Sequence, residues 1–197
     1  MKNDLKRVLS KVTGFEHPRI KLEQYVTPPA LAADLVFTAY MQGDIEDKKV
    51  VDLGTGTGIL GIGAAKLDGN VTAVEKDEDA LEAAEKNAEK LDAEISFVES
   101  DIEDFKGGFD TVVMNPPFSV HSEIGLSFWE KALELGNNVY GISPRGARDS
   151  IKNLVRNSSH KLEDVQEYSI GLPPSYGFHT EQNRETPVDL VIAKKRS

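Results

Sequence analysis

Residues 49–61 read KVVDLGTGTGILG, and the fold turns on how that stretch is parsed. Val50, Val51 and Leu53 suit a short buried strand, which runs straight into glycines at positions 54, 56, 58 and 61. Glycine tolerates positive φ and lets backbone approach a ligand closely. In a doubly wound sheet, a strand-to-helix turn of this kind lies where ligands bind. Read from Gly56, the stretch satisfies G-x-G-x-x-G, a pattern shared with nicotinamide and flavin enzymes. A nucleotide-like ligand at this turn is the first expectation.

Outward from that turn, short apolar runs alternate with amphipathic ones. Strands are predicted at Lys49–Leu53, Val71–Glu75, Ile95–Glu99, Thr111–Met114, Val139–Ser143, Val165–Ile170 and Val188–Ala193. The first five are short, β-branched and apolar, the composition of strands covered on both faces. Thr27 before Pro28 and Pro29 predicts a helix N-cap, followed by an apolar stripe of Leu31, Leu35, Val36 and Ala39. Asp77 is positioned to cap a second helix that turns Leu81, Ala84, Ala88 and Leu91 inward and pairs Glu82 with Lys86. Residues 123–135 and 145–155 also read as helices.

Strands joined by helical crossovers make an α/β fold, a doubly wound and mostly parallel seven-stranded sheet. The last two strands break the pattern: only a loop rich in Pro, Gly and Asn separates Ile170 from Val188, so they are predicted to form an antiparallel hairpin at the sheet edge. No repeat or Pro/Ser-rich linker divides the chain. The expectation is a single domain over 1–197, with a helical extension at 1–21 and a core at 22–197.

The chain has 197 residues, a length at which about 70% of the unfolded surface can be buried without disulfides or a structural metal. It has no cysteine, which excludes a disulfide scaffold, a Cys-based zinc site and a thiol nucleophile. The first residues lack a signal-peptide apolar core and no apolar run of 18 residues occurs, so a cytoplasmic protein without membrane contact is expected. The net charge of −10 is unevenly spread: residues 1–30 carry +3, residues 140–197 carry +2, and the acidic middle carries the rest. Local rather than total charge governs contact with a polyanion, so an acidic body with two less acidic ends is compatible with nucleic-acid binding. The four histidines have no carboxylate at ligand spacing, and no metal is expected.

The candidate site residues lie at predicted strand ends. Asp52 precedes the glycines, where a carboxylate can reach the cationic end of S-adenosylmethionine. Glu75 ends the second strand, placed to accept the hydroxyls of a ribose. After the fourth strand comes Asn115-Pro116-Pro117-Phe118. Two consecutive prolines fix φ and hold Asn115 extended, so the segment leaves the sheet as a rigid projection. It can offer the Asn115 side-chain oxygen and the Pro116 carbonyl to the two protons of a planar amine, with Phe118 stacked on the conjugated group that bears it.

D-x-G-x-G-x-G followed by N-P-P-F resembles the class I S-adenosylmethionine methyltransferases that modify planar nitrogens. Three stretches, Leu22-Glu-Gln24-Tyr25-Val-Thr27-Pro28, the same Asn115–Phe118 and Leu172-Pro-Pro-Ser-Tyr176-Gly-Phe178-His179, are together similar to the methyltransferase-like-five family and its archaeal members. The similarity runs in order from about Leu22 to Ala193. The resemblance implies a Rossmann-like fold and N6-methylation of adenosine in small-subunit ribosomal RNA. It implies that Gln24, Tyr25 and Thr27 close over the cofactor and that Asp101 contacts its adenine. The remaining cofactor-binding candidates are Gly54, Thr55, Gly56, Gly58, Ile59, Lys76, Ile102 and Asn115. It also suggests a small zinc-bearing activator protein as partner. The chain departs from the family where a glycine commonly follows N-P-P-F, having Ser119-Val120-His121 instead.

For RNA contact the candidates are Arg145, Arg148 and Lys152, with Arg156, along one predicted helix, and Tyr176, Phe178 and His179 in the hairpin loop. Three other functions fit parts of the pattern: a protein glutamine-N5 methyltransferase, a catalytically idle cofactor-binding scaffold, and a nicotinamide oxidoreductase. The last leaves Asp101 and Asn115–Phe118 without a role.

Overall fold

Lys49–Leu53 forms β1, the strand that the opening motif predicts, and four parallel neighbours assemble around it. These are β2 (Asn70–Glu75), β3 (Ile95–Glu99), β4 (Phe109–Met114) and β5 (Gly136–Pro144). Two antiparallel strands, β6 (His160–Gly171) and β7 (Glu185–Lys195), complete a sheet of order β3-β2-β1-β4-β5-β7-β6. The computed structural model describes residues 1–15, 26–117, 123–171 and 185–197. Gln24, Tyr25, Phe118, Tyr176, Phe178 and His179 lie outside the described residues, as does the Ser119-Val120-His121 departure.

The predicted α/β architecture is the observed one, with differences that have physical causes. β7 inserts between β5 and β6, pairing with both, so β6 is the edge strand of the hairpin. β3, at the opposite edge, alternates between partly covered and exposed residues, because it has a neighbour on one side only. The strands between them are buried along most of their length.

Helices cover both faces. On one lie α1 (Lys2–Leu9), α2 (Pro29–Met41), α3 (Ile59–Ala65) and α4 (Glu78–Lys90); on the other lie α5 (Glu123–Leu135) and α6 (Arg148–Arg156). The two faces have separate apolar cores, one built around Leu35, Ile62 and Ile142, the other around Trp129, Met114 and Ile151. The segment expected as an N-terminal extension contributes directly to the first core, where Leu5 and Leu9 of α1 are buried.

Helix ends follow the sequence in one case and not in another. Asp77 caps α4 by accepting from the Asp79 N–H, and Glu82 pairs with Lys86 at 2.8 Å. Thr27, however, does not cap α2: the N-cap is Pro28, with ψ at 132°, and Pro29 opens the helix. The Thr27 hydroxyl is engaged elsewhere, as described below. The predicted helix at 145–155 is divided into a 3-10 turn at Arg145–Ala147 and α6.

One contact shows how tightly the second core is built. Gly141 of β5 sits beneath Trp129 of α5, and a Cβ there would lie 2.5 Å from Trp129 Cζ2 and 2.9 Å from Met114 Cε. Both side chains are fully buried. Gly141→Ala is therefore expected to cost about 1–3 kcal/mol by overpacking. A lowered urea midpoint with unchanged slope would register that loss, and an unaltered midpoint would contradict the packing described.

Candidate active site at the strand carboxyl ends

The strand order reverses between β1 and β4, the switch point at which an open α/β sheet leaves a crevice beyond its carboxyl ends. β1 pairs with β4 through Asp52 and Val113, and with β2 through Leu53 and Val74. Glu75 pairs with Glu99. This register brings the glycine turn, Glu75, the residues after β3 and Asn115 to one edge.

The turn itself is held from below. Asp52 is 1% exposed, and its Oδ2 accepts from Thr55 Oγ1 at 2.6 Å and from the Gly61 N–H at 2.8 Å. A Cβ on Gly61 would sit 3.1 Å from that oxygen, so glycine leaves room for the carboxylate to reach the first turn of α3. Gly54, Gly56 and Gly58 have φ of +71°, +55° and +85°, a region costly for other residues. The N–H groups of Gly54 and Thr55 both donate to the Val74 carbonyl at 2.9 Å, carrying the turn across the end of β2. Burial pushes the Asp52 carboxyl from its ordinary value of 3.8 up to about 6, although the Thr55 and Gly61 hydrogen bonds pull it down.

Glu75 faces the turn from β2. Its Oε2 accepts from the Gly56 N–H at 3.0 Å, and its Oε1 accepts from the N–H groups of Lys76 at 2.9 Å and Asp77 at 3.1 Å. Farther along the same edge, Asp101 accepts from the Glu103 N–H at 3.1 Å and pairs with Lys76 at 3.7 Å. Ile59 and Ile102 are buried nearby, at the start of α3 and after β3.

On the other side of the switch point, Asn115 follows the last residue of β4 and leads into Pro116 and Pro117. Its Nδ2 donates to Thr27 Oγ1 at 2.7 Å across 88 residues of sequence. That bond sets the roll of the amide and turns Oδ1 away from Thr27. Thr27, read from sequence as a helix cap and, by the family resemblance, as a residue closing over the cofactor, does not cap α2 and bonds the head of the N-P-P-F segment.

The arginines predicted as an open stripe are engaged within the protein. Arg148 grips the fully buried Asp189 of β7 through two bonds of 2.7 Å, and donates to Glu167 at 2.7 Å. Arg145 reaches Asp189 at 3.4 Å and Glu167 at 3.6 Å. Burial alone would raise the Asp189 carboxyl, and the two arginines more than offset it, leaving its pKa below the ordinary value. A buried carboxylate needs such partners, and this demand draws both side chains inward. Among the described residues, Lys152 and Arg156 have no acidic partner.

Two aromatic residues at the turn carry no sequence signal of their own. Phe128 of α5 packs under Gly54, where a Cβ would lie 2.7 Å from its ring, and Phe15 lies against Gly56. Nothing in local spacing marks either, since both reach the turn through tertiary packing.

Fold and site together define a class I methyltransferase, and residues 32–141 match the family model described as Methyltransferase small domain. The chain is 36% identical over 198 residues to the rRNA N(6)-adenosine-methyltransferase METTL5 of Danio rerio, covering 95% of this chain and 96% of that one. It is 35% identical to the Drosophila melanogaster rRNA N(6)-adenosine-methyltransferase Mettl5, over 94% of this chain and 92% of that one. A crystal structure from Pyrococcus horikoshii superimposes with a TM-score of 0.92 at 33% identity, over 100% of this chain and 98% of that one. The chain belongs to the METTL5 family of methyltransferases.

Asp52 makes the stability of the cofactor-free protein depend on pH. Well below 3.8 the group is protonated whether the chain is folded or unfolded. As pH rises through the window up to about 6, the unfolded chain ionises Asp52 while the folded chain keeps the proton, so the stability of the neutral form is progressively lost. The loss is complete above the folded value and amounts to roughly 3 kcal/mol. Asp52→Asn, uncharged throughout, is expected to flatten this descent in urea denaturation between about pH 4 and pH 7. Parallel pH profiles for the two proteins would show that Asp52 does not titrate as described.

Proposed function

We propose that this protein transfers the methyl group of S-adenosylmethionine to N6 of an adenosine in RNA, most specifically in small-subunit ribosomal RNA. The observation that carries the reading is the Asn115 amide, fixed by Thr27 at the carboxyl end of β4 beside the glycine turn. The donor set at that turn fits the cofactor. Three left-handed glycines give close access to backbone, and Glu75 and Asp101 put carboxylates beside a ligand that is itself cationic. Glu75 would take the ribose hydroxyls, Asp101 and Ile102 the adenine, and the Asp52-braced turn from Gly54 to Ile59 the amino-acid end.

The cofactor supplies an electrophilic methyl group on a sulfonium; the remaining chemistry falls to this chain. Asn115 Oδ1 and the Pro116 carbonyl accept the two protons of the exocyclic amine. Hydrogen bonds at both protons favour pyramidalisation and free the nitrogen lone pair, otherwise delocalised into the ring. Phe118, outside the described residues, is assigned the stacking role. No strong base is required, since the alkylated amine is acidic and yields its proton to water or a nearby acceptor. Extrusion of the base costs a few kcal/mol, and alignment can contribute about 7–11 kcal/mol to the rate.

Lys152 and Arg156 are the cations of α6 left to contact phosphate, with Arg145 and Arg148 positioning β7 rather than RNA. Tyr176, Phe178 and His179 remain assigned to unpaired bases. A small zinc-bearing activator protein is part of this proposal, on the strength of the family resemblance. No described helix is long and apolar enough to cross a membrane. The cysteine-free sequence is compatible with the cytoplasmic setting proposed here.

The direct test is transfer of labelled methyl to separated ribosomal RNA, ribosomal subunits and soluble protein, followed by nucleoside digestion and mass spectrometry. Label in N6-methyladenosine from the small-subunit fraction is the expected result; label confined to protein would move the assignment to glutamine. Asn115→Ala is expected to abolish transfer while calorimetric cofactor binding survives. Thr27→Val, which exchanges the hydroxyl bonded to Asn115 for a methyl group, is expected to lower kcat by about tenfold with a smaller change in RNA affinity. Full activity in that variant would show that the amide needs no such guide.

A further inference from the structure

Asn87 lies in the last turn of α4, 3% exposed, and its amide is turned away from its own helix. Oδ1 accepts the Thr13 N–H at 2.9 Å; Nδ2 donates to the Thr13 carbonyl at 2.9 Å and to the Thr57 carbonyl at 3.0 Å. One side chain thereby clips a segment from the start of the chain to the glycine turn. Lys90 reinforces the clip, donating to the Lys11 carbonyl at 2.9 Å and to Thr13 Oγ1 at 3.2 Å.

The clipped segment leads directly to the site. Two residues beyond Thr13, Phe15 Cζ lies 3.3 Å from where a Cβ would stand on Gly56, the residue whose N–H is bound to Glu75. Gly14, between them, passes so close to Val26 that a Cβ on it would lie 3.1 Å from Val26 Cγ2. Val26 precedes Thr27, the partner of Asn115. The segment therefore touches both halves of the crevice: the turn and Glu75 on one side, the Thr27–Asn115 pair on the other.

We infer that Asn87 is a positioning residue for the cofactor site, docking Thr13 so that Phe15 forms an apolar wall at Gly56. The inference rests on the cofactor lying at the glycine turn. The fit between amide and task is specific. Asparagine supplies one acceptor and two donors in one plane, the complement of one backbone N–H and two carbonyls. Aspartate has the same shape but sets an oxygen against both carbonyls, breaking two bonds in a buried place. Phe15 stands against the Gly56 side of the partly buried Gly56–Glu75 bond, where its ring would limit the approach of water once the cofactor is bound; hydrogen bonds to that carboxylate are stronger in a drier setting.

Calorimetric titration of S-adenosylmethionine into wild type, Asn87→Asp, Phe15→Ala and the double variant tests this, with Glu75→Ala alongside. Asn87→Asp and Phe15→Ala are each expected to weaken cofactor affinity by about tenfold, and the double variant little further, because both act through one contact. In turnover, KM for the cofactor rises more than kcat falls. Phe15→Ala leaves the cofactor-free melting temperature near that of wild type, and Phe15→Leu recovers most of the affinity. Should Asn87→Asp fail to fold, Asn87→Ser, which loses the planar set of bonds without setting a charge against the carbonyls, takes its place in the cycle. Unchanged affinity in Phe15→Ala, or fully additive losses in the double variant, would overturn the inference while a weakened Glu75→Ala keeps the cofactor at the turn. Unchanged affinity in Glu75→Ala would instead overturn the placement of the cofactor on which the inference rests.

Discussion

A carboxylate sealed under a loop must be hydrogen-bonded or neutral, and Asp52 satisfies that demand through the Thr55 hydroxyl and the Gly61 amide. The rest of the site depends on this bracing. It ties the end of β1 to the first turn of α3 and so sets the path of the chain between them. That path is passable only with the positive φ of Gly54, Gly56 and Gly58. It then presents the Gly56 N–H to Glu75, which anchors the far side of the turn to β2. A single buried charge thus couples the sheet, the helix and the ligand-facing backbone.

Across the switch point the same economy appears. β4 delivers Asn115 to the crevice, and the hydroxyl of Thr27 helps to orient its amide there. The residue comes from a segment remote in sequence, and the prolines on either side hold both partners in extended backbone. Rigid groups on both sides of the crevice suit a reaction whose rate depends mainly on the alignment of two bound molecules.

Charge on α6 and the preceding turn is divided between structure and surface. Asp189 is fully buried, and its pairing with Arg148 and Arg145 joins the end of β5 to β7. This leaves a smaller cationic surface than a count of basic residues implies. On α6 itself Lys152 and Arg156 remain, on a protein whose net charge is −10. Such a surface favours recognition by shape and local contacts over broad electrostatic attraction.

The strands, their order of appearance and the ligand-binding turn were legible from residues 49–61 and the alternation that follows, because burial on both faces selects apolar β-branched runs and a tight turn selects glycine. The positions of Glu75 and Asn115 at the crevice edge were legible for a related reason, since each stands at the end of a run that the pattern marks; Asp52, read as reaching the cofactor, is instead buried and braces the turn through Thr55 and Gly61. Thr27 was visible but misread as a cap, since a hydroxyl before two prolines satisfies a local rule whatever its distant partner. The engagement of Arg145 and Arg148 depends on a carboxylate some forty residues away, and periodicity along a helix carries no trace of it. Asn87, Phe15 and Phe128 had no signature at all. Sequence specifies what each segment can become, through local sterics and hydropathy; which side chains meet across the crevice is settled when the sheet register and helix packing close distances that no local pattern encodes.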